Sequence, residues 1–207
     1  KIYRFMGFWI FGFTSVAFYT LLTPFVSIWL GNQMIVGNSI ILLIIVDYYF
    51  KGHRIVINNL KLAAGIFDED KYIAIIMAVV NLIVSVYLIQ YIGLAGVYVG
   101  TLVSGLISNF TKPFIVYKKL FHKNVSEYYI DGIKFLFTVV MSQLVVSLLI
   151  GIFLNNMNIF SLILMMLIVG IVPNVIFYVI FRRREEYKYI NKVIILKLRK
   201  FIRGGQL

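Results

Sequence analysis

Five polar side chains recur along one apolar segment at intervals of three and four residues: Asp47, Lys51, Arg54, Asn58 and Lys61. Because successive residues of an α-helix are about 100° apart, these five fall on one stripe roughly 80° wide. A charge at the centre of a bilayer costs at least about 2.5–3.5 kcal/mol, so such a stripe usually faces a partner or a water-filled cavity. The spacing predicts that the four basic and amide side chains bind an anionic ligand, and that Asp47 pairs with the cations or couples ligand binding to an ion.

Arg54 is the side chain of the stripe best suited to hold an anion. A guanidinium group binds phosphate through two parallel hydrogen bonds, which a lysine cannot reproduce. The alternative is local pairing, since Asp47 and Lys51 stand four residues apart with the acid first, the favourable order on a helix. Lys51 and Arg54 could also extend along the helix toward the headgroups without binding any ligand.

Other kinds of site find little support in the sequence. The chain has no cysteine, and its two histidines, His53 and His122, lack a second ligand at metal-binding spacing. It contains no Ser/His/Asp grouping, no carboxylate pair and no glycine-rich phosphate loop. We therefore expect neither an enzyme nor a bound metal or cofactor.

Composition points to lipid as the solvent of this chain. Of its 207 residues 61% are hydrophobic and only 14% are charged, and the mean hydropathy is +0.94. A soluble domain of this length could not bury so much apolar surface in one core. Six segments reach the length of about 20 apolar residues that a membrane helix needs, which predicts an all-α, multi-pass protein. These segments are Phe5–Leu30, Val36–Ile66, Ile73–Ile92, Leu94–Phe121, Phe135–Leu154 and Ile159–Phe181.

Basic residues set the expected orientation and argue against nucleic acid as a partner. The three loops Gly31–Ile35, Gln90–Gly93 and Asn155–Asn158 carry no charge, whereas the opposite ends carry lysine and arginine. The positive-inside rule then places both ends of the chain in the cytoplasm. The tail, Arg182–Leu207, has nine basic residues and an apolar stripe that includes Tyr187, so we expect it to lie on anionic lipids.

The fourth segment carries small residues at four-residue steps, at Gly96, Gly100 and Ser104. Small residues at this spacing let two membrane helices approach closely, so these three are predicted to pack against a neighbour. In the preceding segment Asn81 and Ser85 share one face, which predicts hydrogen bonds between helices.

Several short motifs, taken in order, resemble the polysaccharide transporter family. The motifs are Pro24-Phe25 to Trp29-Leu30-Gly31, Ala63-Ala64-Gly65-Ile66-Phe67-Asp68-Glu69-Asp70-Lys71-Tyr72, Asn81-Leu82-Ile83-Val84-Ser85 and Gly93-Leu94-Ala95-Gly96-Val97-Tyr98-Val99-Gly100-Thr101. This family comprises the Wzx-type oligosaccharide flippases of the multidrug/oligosaccharidyl-lipid/polysaccharide (MOP) exporter superfamily. The resemblance covers about Phe5 to Tyr117, and the last two segments match in number and hydropathy alone.

The resemblance implies a fourteen-helix, two-lobed protein of which this chain is the C-terminal part. Residues 1–121 would be four helices of the second lobe, 122–181 two additional helices, and 182–207 a basic cytoplasmic tail. The chain also begins at Lys1, without methionine and beside an apolar run, so we expect further sequence upstream.

The activity implied by the family is alternating-access export of undecaprenyl-diphosphate-linked oligosaccharide across the bacterial cytoplasmic membrane. The product would be surface polysaccharide: O-antigen, capsule or exopolysaccharide. The resemblance also implies a polysaccharide polymerase and a chain-length regulator as partners. Rival functions are a multidrug or cation antiporter of the same superfamily, a membrane-embedded polymerase and a structural subunit. An antiporter for cationic drugs would favour acidic cavity residues, whereas a polymerase would usually carry a large outer loop.

Overall fold

Helices form throughout the described chain because an apolar segment in lipid must satisfy the hydrogen bonds of its polar backbone internally. A computed structural model describes residues 1–153 and 158–204, with the side chains of 68–70 and 197–204 excepted. The described residues contain seven α-helices and no strand. They are α1 (Ile2–Trp29), α2 (Asn38–Ala63), α3 (Asp68–Ile92), α4 (Leu94–Val116), α5 (Ser126–Phe153), α6 (Ile159–Phe181) and α7 (Glu185–Gly204).

Short turns separate most of these helices. A 3₁₀ turn, Asn32–Met34, follows α1, and a π-helical turn, Tyr117–Phe121, extends α4. Gly93 alone separates α3 from α4, and it adopts φ +58°, ψ −140°, a conformation open to glycine but not to residues with a side chain. Asn158 caps α6 by accepting a hydrogen bond from the Ser161 backbone, and the Ser161 hydroxyl accepts one in return.

Five helices are long and apolar enough to cross a membrane. Their spans are Ile2–Leu30, Lys71–Ile92, Leu94–Phe121, Ser126–Phe153 and Ile159–Phe181. The all-α prediction is thus confirmed for the described residues. The sixth predicted segment forms α2, which has the necessary length at 26 residues. The charged stripe lowers the hydropathy of α2, so by composition this helix is not among those apolar enough to cross a membrane.

An aromatic cluster holds α1, α5 and α6 together. The rings of Phe8 and Phe135 stack with centroids 4.3 Å apart, and Phe8 also meets Phe177 and Phe181 edge-on or tilted at about 5 Å. Phe8 and Phe177 are fully buried. Offset and edge-to-face pairs of this kind stabilise a core by about 0.5–1.5 kcal/mol each beyond their buried area. This aromatic cluster joins residues on both sides of the predicted boundary at residue 121. The division of the chain into residues 1–121, 122–181 and 182–207 stays a prediction.

The other helices form a row that begins at α1 and continues through α2 and α4 to α3. Gly52 marks the α1–α2 crossing, where a Cβ atom would lie 2.1 Å from the ring of Phe11. At the far end of the row most of α3 is exposed, and its exposed apolar side chains include Ile75, Leu82 and Ile83. Such a surface is suited to lipid or to a further helix.

The basic tail forms α7, and its first turns pack on α1. Tyr187 stacks on Trp9 with ring centroids 5.8 Å apart, and Ile190 also contacts the aromatic cluster. The tail is therefore attached to the bundle through its apolar stripe. The stripe continues in the sequence to Leu198, Phe201 and Ile202, whose side chains lie outside the described residues.

Candidate functional site

Asp47 is the centre of a charged cluster on α2. One carboxylate oxygen, Oδ2, lies 2.6 Å from Nζ of Lys51, and the other, Oδ1, lies 3.5 Å from Nη2 of Arg54. Asp47 is only 8% exposed. The two contacts follow from helix geometry, since residues four and seven positions further along return to the same face. Local pairing, one of the two interpretations of the stripe, is therefore present in the structure.

Arg54 connects the cluster to α4. Its Nη1 donates a hydrogen bond to the carbonyl oxygen of Gly105 at 3.3 Å. A Cβ atom on Gly105 would lie 3.3 Å from both terminal guanidinium nitrogens and 3.4 Å from Oδ1 of Asp47. The missing side chain thus leaves room for the guanidinium and gives it access to a carbonyl. Sequence reasoning missed Gly105, because nothing in the spacing of α4 alone shows which of its residues faces Arg54.

Asn58, the next polar residue of the stripe, also lies at the α2–α4 contact. Lys112 of α4 donates a hydrogen bond to Oδ1 of Asn58 at 3.3 Å. Lys61 is buried, with 6% of its surface exposed. The stripe therefore lies along a polar seam between two helices, while the open cavity that the spacing also allows stays a prediction.

Charge and exposure define what the cluster can bind. One carboxylate faces two cations, so the group of Asp47, Lys51 and Arg54 carries one net positive charge. The Lys51 side chain is 59% exposed, whereas those of Asp47 and Arg54 are 12% and 13% exposed. Lys51 is thus the most accessible of the three charged groups. This arrangement suits an anion, and Arg54 offers it further N–H groups in a fixed plane.

The predicted small-residue face of α4 packs against α3. A Cβ atom on Gly96 would lie 2.5 Å from the backbone of Leu88, and one on Gly100 would lie 2.1 Å from the Ser85 hydroxyl. Ser104 accepts a hydrogen bond from the Asn81 amide at 3.3 Å. The Ser85 hydroxyl donates to the Val97 carbonyl at 3.4 Å. These bonds between helices were predicted from the shared face of Asn81 and Ser85.

Side chains of the types that bind metals do not cluster in this structure. Among the described residues, no group of three His, Cys, Asp or Glu side chains could hold an ion. His53 lies away from the charged cluster, beside Tyr49 and Phe135, with ring centroids at 4.7 and 6.2 Å.

Comparisons with protein-family models, curated proteins and solved structures give no match. The function of this chain is therefore argued from its own residues.

Proposed function

We propose that this chain is the C-terminal membrane part of a flippase of the polysaccharide transporter family. Its cargo is an undecaprenyl-diphosphate-linked oligosaccharide, which it moves across the bacterial cytoplasmic membrane for surface polysaccharide export. In this proposal α2 is a sixth span beside the five apolar helices, and both ends of the chain are cytoplasmic. The order of the sequence motifs supports the family, and the chemistry of α2 supports the cargo.

The observation that carries the proposal is the cluster of Asp47, Lys51 and Arg54. Among mostly apolar helices, α2 holds two cations against one carboxylate part-way along its length. A diphosphate entering a low-dielectric site loses hydration, and fixed positive charge is needed to offset that loss. An ordinary structural helix has no need of this arrangement and would avoid its desolvation cost.

Pairing with Asp47 gives the two cations a defined state before substrate arrives. A buried charge without a partner is strongly destabilising, whereas one held by a nearby carboxylate is tolerated. Phosphate oxygens would then compete with Asp47 for the same N–H groups of Lys51 and Arg54. In this mechanism Asp47 pairs with Lys51 and Arg54 while no substrate is bound. Its competition for these cations also weakens their binding to the transported diphosphate, which favours release.

Two of the rival functions would require different features. An antiporter for cationic drugs would use Asp47 as its binding charge, although Lys51 and Arg54 already neutralise that carboxylate. A polymerase would need a general base for its acceptor, and the same two cations already hold the carboxylate of Asp47.

Deleting the gene in its host tests the proposal and separates these functions. A flippase deletion should abolish surface polysaccharide and leave lipid-linked oligosaccharide on the inner leaflet, where an added soluble glycosidase cannot reach it in intact spheroplasts. Normal surface polysaccharide with raised drug sensitivity would instead identify an exporter. Single oligosaccharide units on the surface, without long chains, would identify a polymerase.

A further inference from the structure

A cavity with a mainly apolar lining lies between α1, α2, α4 and α5, on a different face of α2 from the charged cluster. Its volume is about 230 Å³. Polar or small lining residues are Arg4, Tyr49, His53, Asn109, Tyr128 and Gly132. Arg4 and Tyr128 stand near the ends of their helices, beside Lys1 and the first turn of α5. The cavity is thus near the basic end of the bundle.

Four of the residues that line this cavity each carry a buried polar atom with no hydrogen-bond partner among the described residues. These atoms are Nε of Arg4, the Tyr49 hydroxyl, Nε2 of His53 and Nδ2 of Asn109. Tyr49 is 4% exposed and His53 is 9% exposed. Unpaired buried polar atoms are rare because each forfeits its hydrogen bonds to water. Their convergence on one cavity indicates a site for a polar ligand.

The chemistry of these atoms selects a ligand that accepts hydrogen bonds. Arg4 Nε and Asn109 Nδ2 can only donate, and the tyrosine hydroxyl and the imidazole can each donate one more bond. A group with several acceptor oxygens and a negative charge matches such a set of donors.

Arg4 is held in place by contacts that leave its Nε available. Nη2 donates a hydrogen bond to the Tyr128 carbonyl, and the guanidinium carbon lies 3.5 Å from the centroid of the Tyr128 ring. The nearby carboxylates have cations of their own, since Glu127 pairs with Lys1 and Asp131 pairs with Arg184. No carboxylate among the described residues forms an ion pair with Arg4, so its positive charge is open to a ligand.

The rim of the cavity is apolar and faces outward. Phe110 of α4 is 60% exposed and Ile133 of α5 is 66% exposed, and both line the cavity. At this rim the Tyr129 hydroxyl donates a hydrogen bond to the Phe110 carbonyl and joins the two helices. A mainly apolar cavity that holds a guanidinium and a few other donors on its lining residues fits an amphiphile whose charged head enters between α4 and α5.

We propose that this cavity binds a phosphate group through Arg4, Tyr49, His53 and Asn109. Two sources have this chemistry: the phosphate of an anionic phospholipid at the inner leaflet, and inorganic phosphate. The site does not depend on the flippase proposal, because its residues are separate from Asp47, Lys51 and Arg54. Its ligand anchors α1, α2, α4 and α5 to one another near the membrane surface.

Native mass spectrometry of the full chain tests the lipid source. The purified protein is incubated with phosphatidylglycerol or with diacylglycerol, which has the same acyl chains and no phosphate, and the lipid retained per chain is measured. We expect one phosphatidylglycerol to be retained in preference to diacylglycerol. Tyr49→Phe should weaken retention about tenfold, the loss expected for one hydrogen bond to a charged group. Arg4→Gln should weaken it further.

Ser15→Ala is the matched control. The Ser15 hydroxyl is also buried and unpaired among the described residues, but it lines a neighbouring cavity between α1, α2 and α5, to which Tyr49 also contributes. Its removal should leave lipid retention unchanged. Tyr49→Phe keeps the buried ring, so this variant remains informative even if Arg4→Gln fails to fold.

Inorganic phosphate is tested by its effect on the thermal unfolding midpoint of delipidated protein. A rise with phosphate but not with chloride, lost in Tyr49→Phe, would identify free phosphate as the ligand. Equal retention of the two lipids together with no phosphate effect would overturn the proposal and leave bound water as the partner of these atoms. Unchanged ligand binding in both Tyr49→Phe and Arg4→Gln would overturn it as well.

Discussion

The guanidinium of Arg54 donates a hydrogen bond to the Gly105 carbonyl at 3.3 Å, across the contact between α2 and α4. This bond and the pairing with Asp47 together fix the plane of the guanidinium. A valine at position 105 would place methyl groups where the guanidinium now lies. We therefore expect Gly105→Val to reduce surface polysaccharide nearly as much as loss of Arg54. Gly105→Ala should be mild, because the far end of a flexible side chain can move a few tenths of an ångström.

Removing Arg54 tests the anion-binding role of the cluster. In cells carrying the whole gene, Arg54→Ala should abolish surface polysaccharide while the amount of protein in the membrane stays the same. Arg54→Lys should restore only part of the activity, because lysine keeps the charge and loses the bidentate geometry. Normal polysaccharide in Arg54→Ala would show that the cluster is only a paired helix contact and that substrate binds elsewhere.

Asp47→Asn distinguishes two roles of the carboxylate. If Asp47 only neutralises Lys51 and Arg54, transport should persist in the asparagine variant. Its pH dependence should change, because a titratable carboxylate no longer competes with substrate for the two cations. If Asp47 carries a coupling proton, transport should stop at every pH. Surface polysaccharide measured across a pH series in the asparagine variant gives the answer, with Asp47→Glu as the control that keeps the titratable group.

Gly100 should be the more sensitive of two helical glycines. A Cβ atom there would lie 2.1 Å from the Ser85 hydroxyl and 3.0 Å from the Asn81 carbonyl, so Gly100→Ala must push α3 and α4 apart. We expect a loss of about 1–3 kcal/mol in stability, typical of overpacking. Gly170→Ala is the control, since that position of α6 has nothing within 4 Å. It should be neutral or stabilising by about 0.5–1 kcal/mol. Equal unfolding midpoints for the two variants would contradict the close α3–α4 contact.

Membrane orientation can be tested directly because the chain has no native cysteine. Single cysteines at Gln33 and Gln90 should react with a membrane-impermeant maleimide in intact cells, and one at Lys123 should react only after the cells are opened. All three positions are exposed. A third external position, Asn156, is predicted from the sequence and lies outside the described residues. Labelling of Lys123 from outside would reverse the proposed orientation.

Sequence periodicity determined the parts of this protein that depend on neighbours along the chain. The apolar runs predicted helices that begin and end within a few residues of those observed, except that α5 begins at Ser126 rather than Phe135. The spacing of Asp47 and Lys51 made their ion pair one of two interpretations of the stripe, and the pair is present. The repeat of Gly96, Gly100 and Ser104 marked a face that lies against α3. These features follow from the turn of a single helix, which the order of residues specifies.

Tertiary structure alone decided which faces of different helices meet. Gly105 could be matched to Arg54 only when the rotation of α4 against α2 was known. The cavity around His53 combines residues from four helices, α1, α2, α4 and α5. The first turns of α7 similarly pack on Trp9 of α1. The amphipathic pattern of α7 does not specify this contact. A helix's apolar stripe determines that it will be covered, but the packing of side chains across the bundle selects the surface that covers it.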